Sequence, residues 1–159
     1  SELFAEITPI PVASASLAQV YKARLHTGEV VAVKVQRPEA LSMVSRDLCI
    51  LKRGSTYYQS MLKMLQGGTT VGAANTDLDN LIQTWASGFY DELDFELEGE
   101  RQMEFRREIL QHTSGCYVPK VFSSARRVLV SEWIDGVKLA DCEPEDIQNL
   151  TNIGAEVFL

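Results

Sequence analysis

Apolar positions alternate with small or polar ones near both ends of the chain and recur at helical steps in its middle. Residues 12–24 and 29–36 read as two strands, with Val30, Val31, Val33 and Val35 supplying β-branched residues and His26-Thr27-Gly28 the turn. Pro38 closes that ladder because it has no N–H to donate. From Glu39 to about Leu65, the residues Val44, Leu48, Leu51, Tyr58, Met61 and Leu65 mark one face of an amphipathic helix, with Gly67 and Gly68 as its stop. The stretch from Gly67 to Asn75 is small and polar, a loop.

Thr76, Asp77, Leu78 and Asp79 resemble a capping signal for a second helix that points Leu78, Leu81, Ile82 and Trp85 inward. Gly88 is a candidate bend or break in it. An acidic run follows from Asp91 to Glu98, and helical spacing resumes through Met103, Phe105, Ile109 and Leu110 to an end near Gly115. Residues 118–122 and 127–133 read as two more strands, then a turn at Ile134-Asp135-Gly136. Pro144 opens a last helix, at the position where a missing N–H costs nothing. The predicted order is β-β-α-α-α-β-β-α: an α+β fold, an antiparallel sheet with helices packed on it.

The composition adds limits. A chain of 159 residues, 45% hydrophobic, has material for one modest core. Its net charge of -7 and lack of a Lys/Arg run argue against nucleic acid as a partner. Cys49, Cys116 and Cys142 are far apart and read as reduced, partly buried thiols. His26 and His112 are isolated, so a histidine metal site has nothing to build on. No apolar run approaches membrane-spanning length. The first residue is not Met and the last ones look helical, which reads as a piece of a longer protein.

The chemistry concentrates in Ala13, Ser14, Ala15, Ser16, Leu17, Ala18, Gln19 and Val20, followed by Val31-Ala32-Val33-Lys34. The spacing is that of a glycine-rich phosphate loop and its lysine strand, with alanine at all three glycine positions. Glycine lets backbone approach phosphate and take φ > 0, whereas alanine stiffens the turn. A single strand lysine is usually solvated; a small-residue loop fourteen to twenty-one residues upstream makes Lys34 a phosphate ligand instead. Such a lysine needs a helix carboxylate to fix it, and Glu92, Asp94, Glu96 and Glu98 are the candidates. Spacing alone does not choose among them, and a solvated acidic face is the plain alternative. The strand from Val128 to Gly136 has the character of an inter-lobe hinge: Ser131 as gatekeeper, Glu132 and Ile134 as sources of backbone contacts to adenine. A buried edge strand explains that segment equally well. The H-R-D-x-x-x-x-N and D-F-G motifs, which supply base and Mg²⁺ ligands, do not occur.

These residues resemble the UbiB family of atypical protein-kinase-like ATPases, also called aarF-domain kinases. The alanine-rich P-[IF]-A-A-A-S-[IL]-[GA]-Q-V loop is matched from Pro11 to Val20, with Ser14 departing from the usual alanine. V-A-V-K-V-Q-x-P is intact from Val31 to Pro38, and E-L-D-[FY]-x-x-E from Glu92 to Glu98. V-P-x-V is present from Val118 to Val121, and the hinge strand from Val128 to Gly136. The match spans about residues 9–140; Arg101 stands where the family usually has asparagine.

The resemblance implies a protein-kinase-like N-lobe over residues 1–134, with family-specific helices, and a hinge exit plus first C-lobe helix over 135–159. It implies that Lys34 binds phosphate with Glu98 as its helix partner, and that Glu92 and Asp94 form a regulatory E-x-D pair facing the lysine of a K-x-G-Q extension. Ala13, Ser14, Ala15, Ser16, Val20, Ala32, Glu132 and Ile134 complete the implied nucleotide site. ATP or ADP with Mg²⁺ is the implied ligand, with the metal ligands outside this chain. Family members act in isoprenoid-quinone and prenyl-lipid biology, which implies lipid or lipid-biosynthesis partners, peripheral membrane association, and a plastid or mitochondrion as the compartment. The alternative is a nucleotide-sensing pseudokinase module without phosphoryl transfer.

Overall fold

The structure, a computed structural model, describes residues 3–65, 78–112 and 115–158. It contains β1 (Phe4–Ile7), β2 (Ala13–Ser14), β3 (Ala18–Leu25), β4 (Val30–Gln36), α1 (Ala40–Leu65), α2 (Leu78–Glu92), α3 (Phe95–His112), β5 (Val121–Ala125), β6 (Val128–Glu132) and α4 (Pro144–Phe158). The strands form one sheet in the order β1-β3-β4-β6-β5, with β2 added to β3. Every pairing is antiparallel. The fold is α+β, an antiparallel sheet with helices.

The β3–β4 hairpin follows from its residues. Leu25 N donates to Glu29 O at 2.9 Å, and Gly28 N to Leu25 O at 3.0 Å. Gly28 has φ +103°, where a side chain would be strained, and is the only positive-φ position among the described residues. Alternation along β4 then separates two environments. Val31 and Val33 are buried with Ala23 and Val130 on one face. Ala32, Lys34 and Gln36 point the other way, where Ala18, Phe95 and Leu129 form a second cluster beneath α3. Burying Phe95 completely contributes about 1.5–3 kcal/mol and clamps the start of α3 to the sheet.

Several expectations change. The strand expected over 12–24 is broken into β2 and β3 by the loop at residues 15–17, and β1 precedes both. A four-residue and a two-residue strand are too short to show a period. The expected strand at 118–122 starts its pairing only at Val121. Helix α1 has the expected length, but its stripe is covered only at its start. Val44 is buried, whereas Leu51, Tyr58, Met61 and Leu65 are exposed. On α2, Leu81 and Trp85 are likewise exposed. Helical periodicity says which face is apolar, not what covers it. Helix α2 also runs through Gly88 to Glu92. The Gly67-Gly68 stop, the following loop and Thr76-Asp77 lie outside the described residues. All three cysteines are free, with Cys49 exposed rather than partly buried. No helix among the described residues is long and apolar enough to cross a membrane.

Candidate functional site

The acidic run is not one helix. Leu93 and Asp94 break it, so α2 ends at Glu92 and α3 begins at Phe95. Asp94 Oδ1 accepts from Glu96 N at 3.1 Å and Leu97 N at 3.3 Å, an N-cap that satisfies two orphan donors of α3. The cap and the buried Phe95 set the rotation of the first turn. Glu98 thereby faces β4 while Glu96 faces solvent.

Lys34 Nζ meets both oxygens of Glu98, at 2.7 and 2.6 Å. The ammonium also sits 4.4 Å from the centre of the Phe95 ring. Geometry therefore selects Glu98 from the four carboxylates. The pair lines a cleft of about 870 Å³ whose roof is Ala15, Ser16, Leu17 and Ala18. Glu92 lines the same cleft, as do Asp91 and Arg101, which pair at 3.1 Å. Asp94 caps α3 through Oδ1 alone and is not among the residues that line this cleft.

The remaining candidates lie further along the same sheet or away from it. Val20 is opposite Lys34 in the β3–β4 register, and Ala32 is opposite Ser131, all on the Lys34 face. Ala13 pairs with Val20 in the β2–β3 ladder. The Ser14 hydroxyl accepts from Arg37 at 2.7 Å and is turned to that side of the loop. The Glu132 side chain projects to the opposite face of the sheet. There Tyr117 Oη donates to it at 2.5 Å and Lys120 N at 3.0 Å. These two donors, the tyrosine first, hold its carboxyl below the usual glutamate range. Ile134 follows β6, half exposed.

Three features carry no signal in periodicity. Gly99 lets α3 approach the sheet: a Cβ there would lie 2.7 Å from Ser124 Cβ and 3.2 Å from Leu129 Cδ1. A glycine inside a helix beside the paired glutamate is the one clue the sequence offers. Gln36 Nε2 donates to Leu93 O at 3.0 Å and fastens the α2–α3 elbow to β4. Just after β6, Lys22 Nζ stands 4.6 Å above the Trp133 ring. Trp133 Nε1 donates to Asp135 Oδ1 at 2.6 Å. That bond, then the Lys22 charge, lowers the Asp135 pKa. Among the described residues no group of three or more His, Cys, Asp and Glu side chains is placed to hold a metal ion. The described residues therefore do not fit a Mg²⁺ site.

Comparison with known proteins identifies the family. The model of the ABC1 atypical kinase-like domain matches residues 1–157. An uncharacterized chloroplastic aarF domain-containing protein kinase of Arabidopsis thaliana is 40% identical over 141 residues, covering 87% of this chain and 19% of that protein. The chloroplastic protein ACTIVITY OF BC1 COMPLEX KINASE 3 of the same plant is 32% identical over 140 residues, covering 86% of this chain and 18% of its own length. A probable protein kinase UbiB of Cellvibrio japonicus is 29% identical over 165 residues, covering 99% of this chain and 28% of that protein. This chain thus spans less than a third of each of these relatives. The solved Rv3197–erythromycin complex from Mycobacterium tuberculosis superposes with a TM-score of 0.64 at 34% identity, covering 88% of this chain and 33% of that one. With the family model matched almost end to end, the chain belongs to the ABC1 atypical kinase-like family, which includes the UbiB and aarF-domain kinases.

Proposed function

We propose that this chain is the ATP- or ADP-binding part of an ABC1-family atypical kinase or ATPase. The observation that carries the reading is the two-oxygen contact between Lys34 and Glu98 beneath the alanine loop. A carboxylate that grips an ammonium stops its flexible stem from wandering and leaves it poised for the α/β-phosphates. The tip of the loop, Ala15 and Ser16 with Ala13 and Ser14 behind it, forms the phosphate roof. Val20 and Ala32 make an apolar ceiling for adenine, and the Glu132 and Ile134 backbones meet its edge. In this reading residues 1–134 are the nucleotide-facing lobe, and 135–159 lead from the hinge into the first helix of the second. Base and Mg²⁺ ligands come from elsewhere in the intact protein. Glu92, open to the cleft, and its neighbour Asp94 receive a lysine from another segment as a regulatory contact.

The substrate class is an isoprenoid quinone or related prenyl lipid, reached by peripheral association with a membrane or with lipid-biosynthesis proteins. The chloroplastic names of two relatives support a plastid setting, and the quinone link rests on the family resemblance. Thermal stabilisation of the intact protein by ATP tests the reading. Absence of any shift with ATP, ADP or adenosine would sink it. Release of ADP over time separates turnover from nucleotide sensing.

A further inference from the structure

Substituting alanine for glycine removes the freedom by which a phosphate loop turns its peptide planes. Among the described residues no non-glycine has positive φ, so this loop is built from ordinary backbone conformations. Something else must set the direction of its N–H groups. Arg37, the residue just past β4, touches the loop at three points. Its backbone N donates to Leu17 O at 2.9 Å. Its Nε donates to Ala15 O at 3.0 Å, and its Nη2 to Ser14 Oγ at 2.7 Å. The planar guanidinium thus forks across two consecutive residues of the loop. Ala15 N is engaged on the loop's own far strand, donating to Ala18 O at 2.9 Å.

Peptide planarity turns the Arg37 contact into a statement about the cleft. In a trans peptide the C=O and the following N–H point in opposite directions. Ala15 O is drawn toward Arg37, which is not among the cleft-lining residues, so the N–H of Ser16, which does line the cleft, points away from Arg37. Backbone N–H groups at such a tip are what binds phosphate oxygens. We infer that Arg37 is a positioning residue of the nucleotide site: it fixes the Ala15–Ser16 peptide plane so that the Ser16 N–H faces a bound polyphosphate. Ser14 supplies the second anchor, at the loop position where this chain departs from the alanine usual in the family it resembles. The adjacent Gln36, pointing to the other side of the strand, ties the α2–α3 elbow. The end of β4 thereby holds both walls of the cleft.

This inference rests on the nucleotide reading, and the test separates the two. ATP and adenosine affinities are measured on the intact protein, wild type, Arg37→Gln, Arg37→Lys and Ser14→Ala. Adenosine has no phosphate and reads only the adenine end. The anchoring bonds are charge-assisted but exposed, so Arg37→Gln weakens ATP about five- to tenfold. Adenosine affinity stays unchanged. Arg37→Lys, which keeps the charge without the fork, recovers part of the loss. Ser14→Ala gives a smaller ATP-selective loss, and adding it to Arg37→Gln costs nothing further, because the anchor is already gone. Equal losses for ATP and adenosine, or additive effects of the two substitutions, overturn the inference. If Arg37→Gln does not fold, the Ser14→Ala and Arg37→Lys pair decides alone: no ATP-selective loss in either overturns it. A wild-type protein that binds neither ligand overturns the nucleotide reading itself.

Discussion

The Lys34 ammonium and the Glu98 carboxylate, 64 residues apart in sequence, meet through both carboxylate oxygens at 2.7 and 2.6 Å. Their side chains keep 32% and 39% of their accessible surface, so water screens the pair. An ion pair so exposed contributes only about 0–1 kcal/mol to stability. What it supplies is position: one rigid strand and one capped helix fix where the charge sits above the Phe95 ring.

Lys34→Ala in the intact protein therefore abolishes ATP-dependent thermal stabilisation, while the ligand-free Tm moves little. Glu98→Gln keeps some ATP response but weakens it, since the lysine loses its fixed orientation. Thermal shift with and without ATP checks both. Unchanged stabilisation in Lys34→Ala contradicts the assigned role.

Which parts of this site were legible in the sequence has a physical pattern. The β3–β4 hairpin and Lys34 were readable because strand alternation and a turn glycine are local signals. The choice of Glu98 was not, because it depends on where α3 starts. That start is set by the Asp94 cap and by Phe95 reaching a cluster built from residues far away in sequence. Resemblance to a known family supplied what spacing left open. The exposed faces of α1 and α2 and the fastening by Gln36 and Arg37 rest on tertiary contacts, to which periodicity is blind.

Gly99→Ala tests how closely α3 must approach the sheet. Alanine ordinarily favours a helix over glycine by about 1 kcal/mol. Here the new methyl would meet Ser124 Cβ at 2.7 Å, an atom fixed to the backbone that cannot swing aside. Overpacking of this kind costs about 1–3 kcal/mol and pushes the helix, with Glu98, away from Lys34. The intact variant loses both Tm and ATP affinity, and Ser124→Gly restores part of each. A raised Tm for Gly99→Ala would refute the close-approach argument.

Glu132 gives a pH signature. The Tyr117 hydroxyl, then the Lys120 N–H, favour its charged form and depress its pKa. A depressed carboxylate adds stability that is present above its unfolded pKa, about 4.3, and lost as pH falls through the lower folded value. Tyr117→Phe moves the Glu132 titration, followed by NMR, upward toward the ordinary range. Its stability deficit relative to wild type is present at neutral pH and shrinks in acid. A titration midpoint unmoved by Tyr117→Phe shows that the hydroxyl is not the cause.

Asp94 is assigned a regulatory charge by resemblance and a helix cap by geometry, and two substitutions separate these. Asparagine caps about as well as aspartate, whereas alanine forfeits about 1 kcal/mol. Asp94→Ala lowers the Tm of the intact protein and Asp94→Asn does not. If the charge also regulates, Asp94→Asn alters ATPase or autophosphorylation rate at unchanged Tm. Equal Tm values for the alanine and asparagine variants would exclude the cap as a stabilising feature.

The alanine loop itself is tested by Ala15→Gly. With every described non-glycine residue at negative φ, alanine at this position is unstrained. Glycine therefore relieves nothing in the observed conformation; it adds freedom to the others. Ordering that extra freedom costs about 0.4–1 kcal/mol. It also lets the peptide between residues 15 and 16 turn away from Arg37. The variant shows a changed preference between ATP and ADP, or raised autophosphorylation, in the intact protein. Affinities for both nucleotides and autophosphorylation equal to wild type would mean that the three alanines do not shape the chemistry.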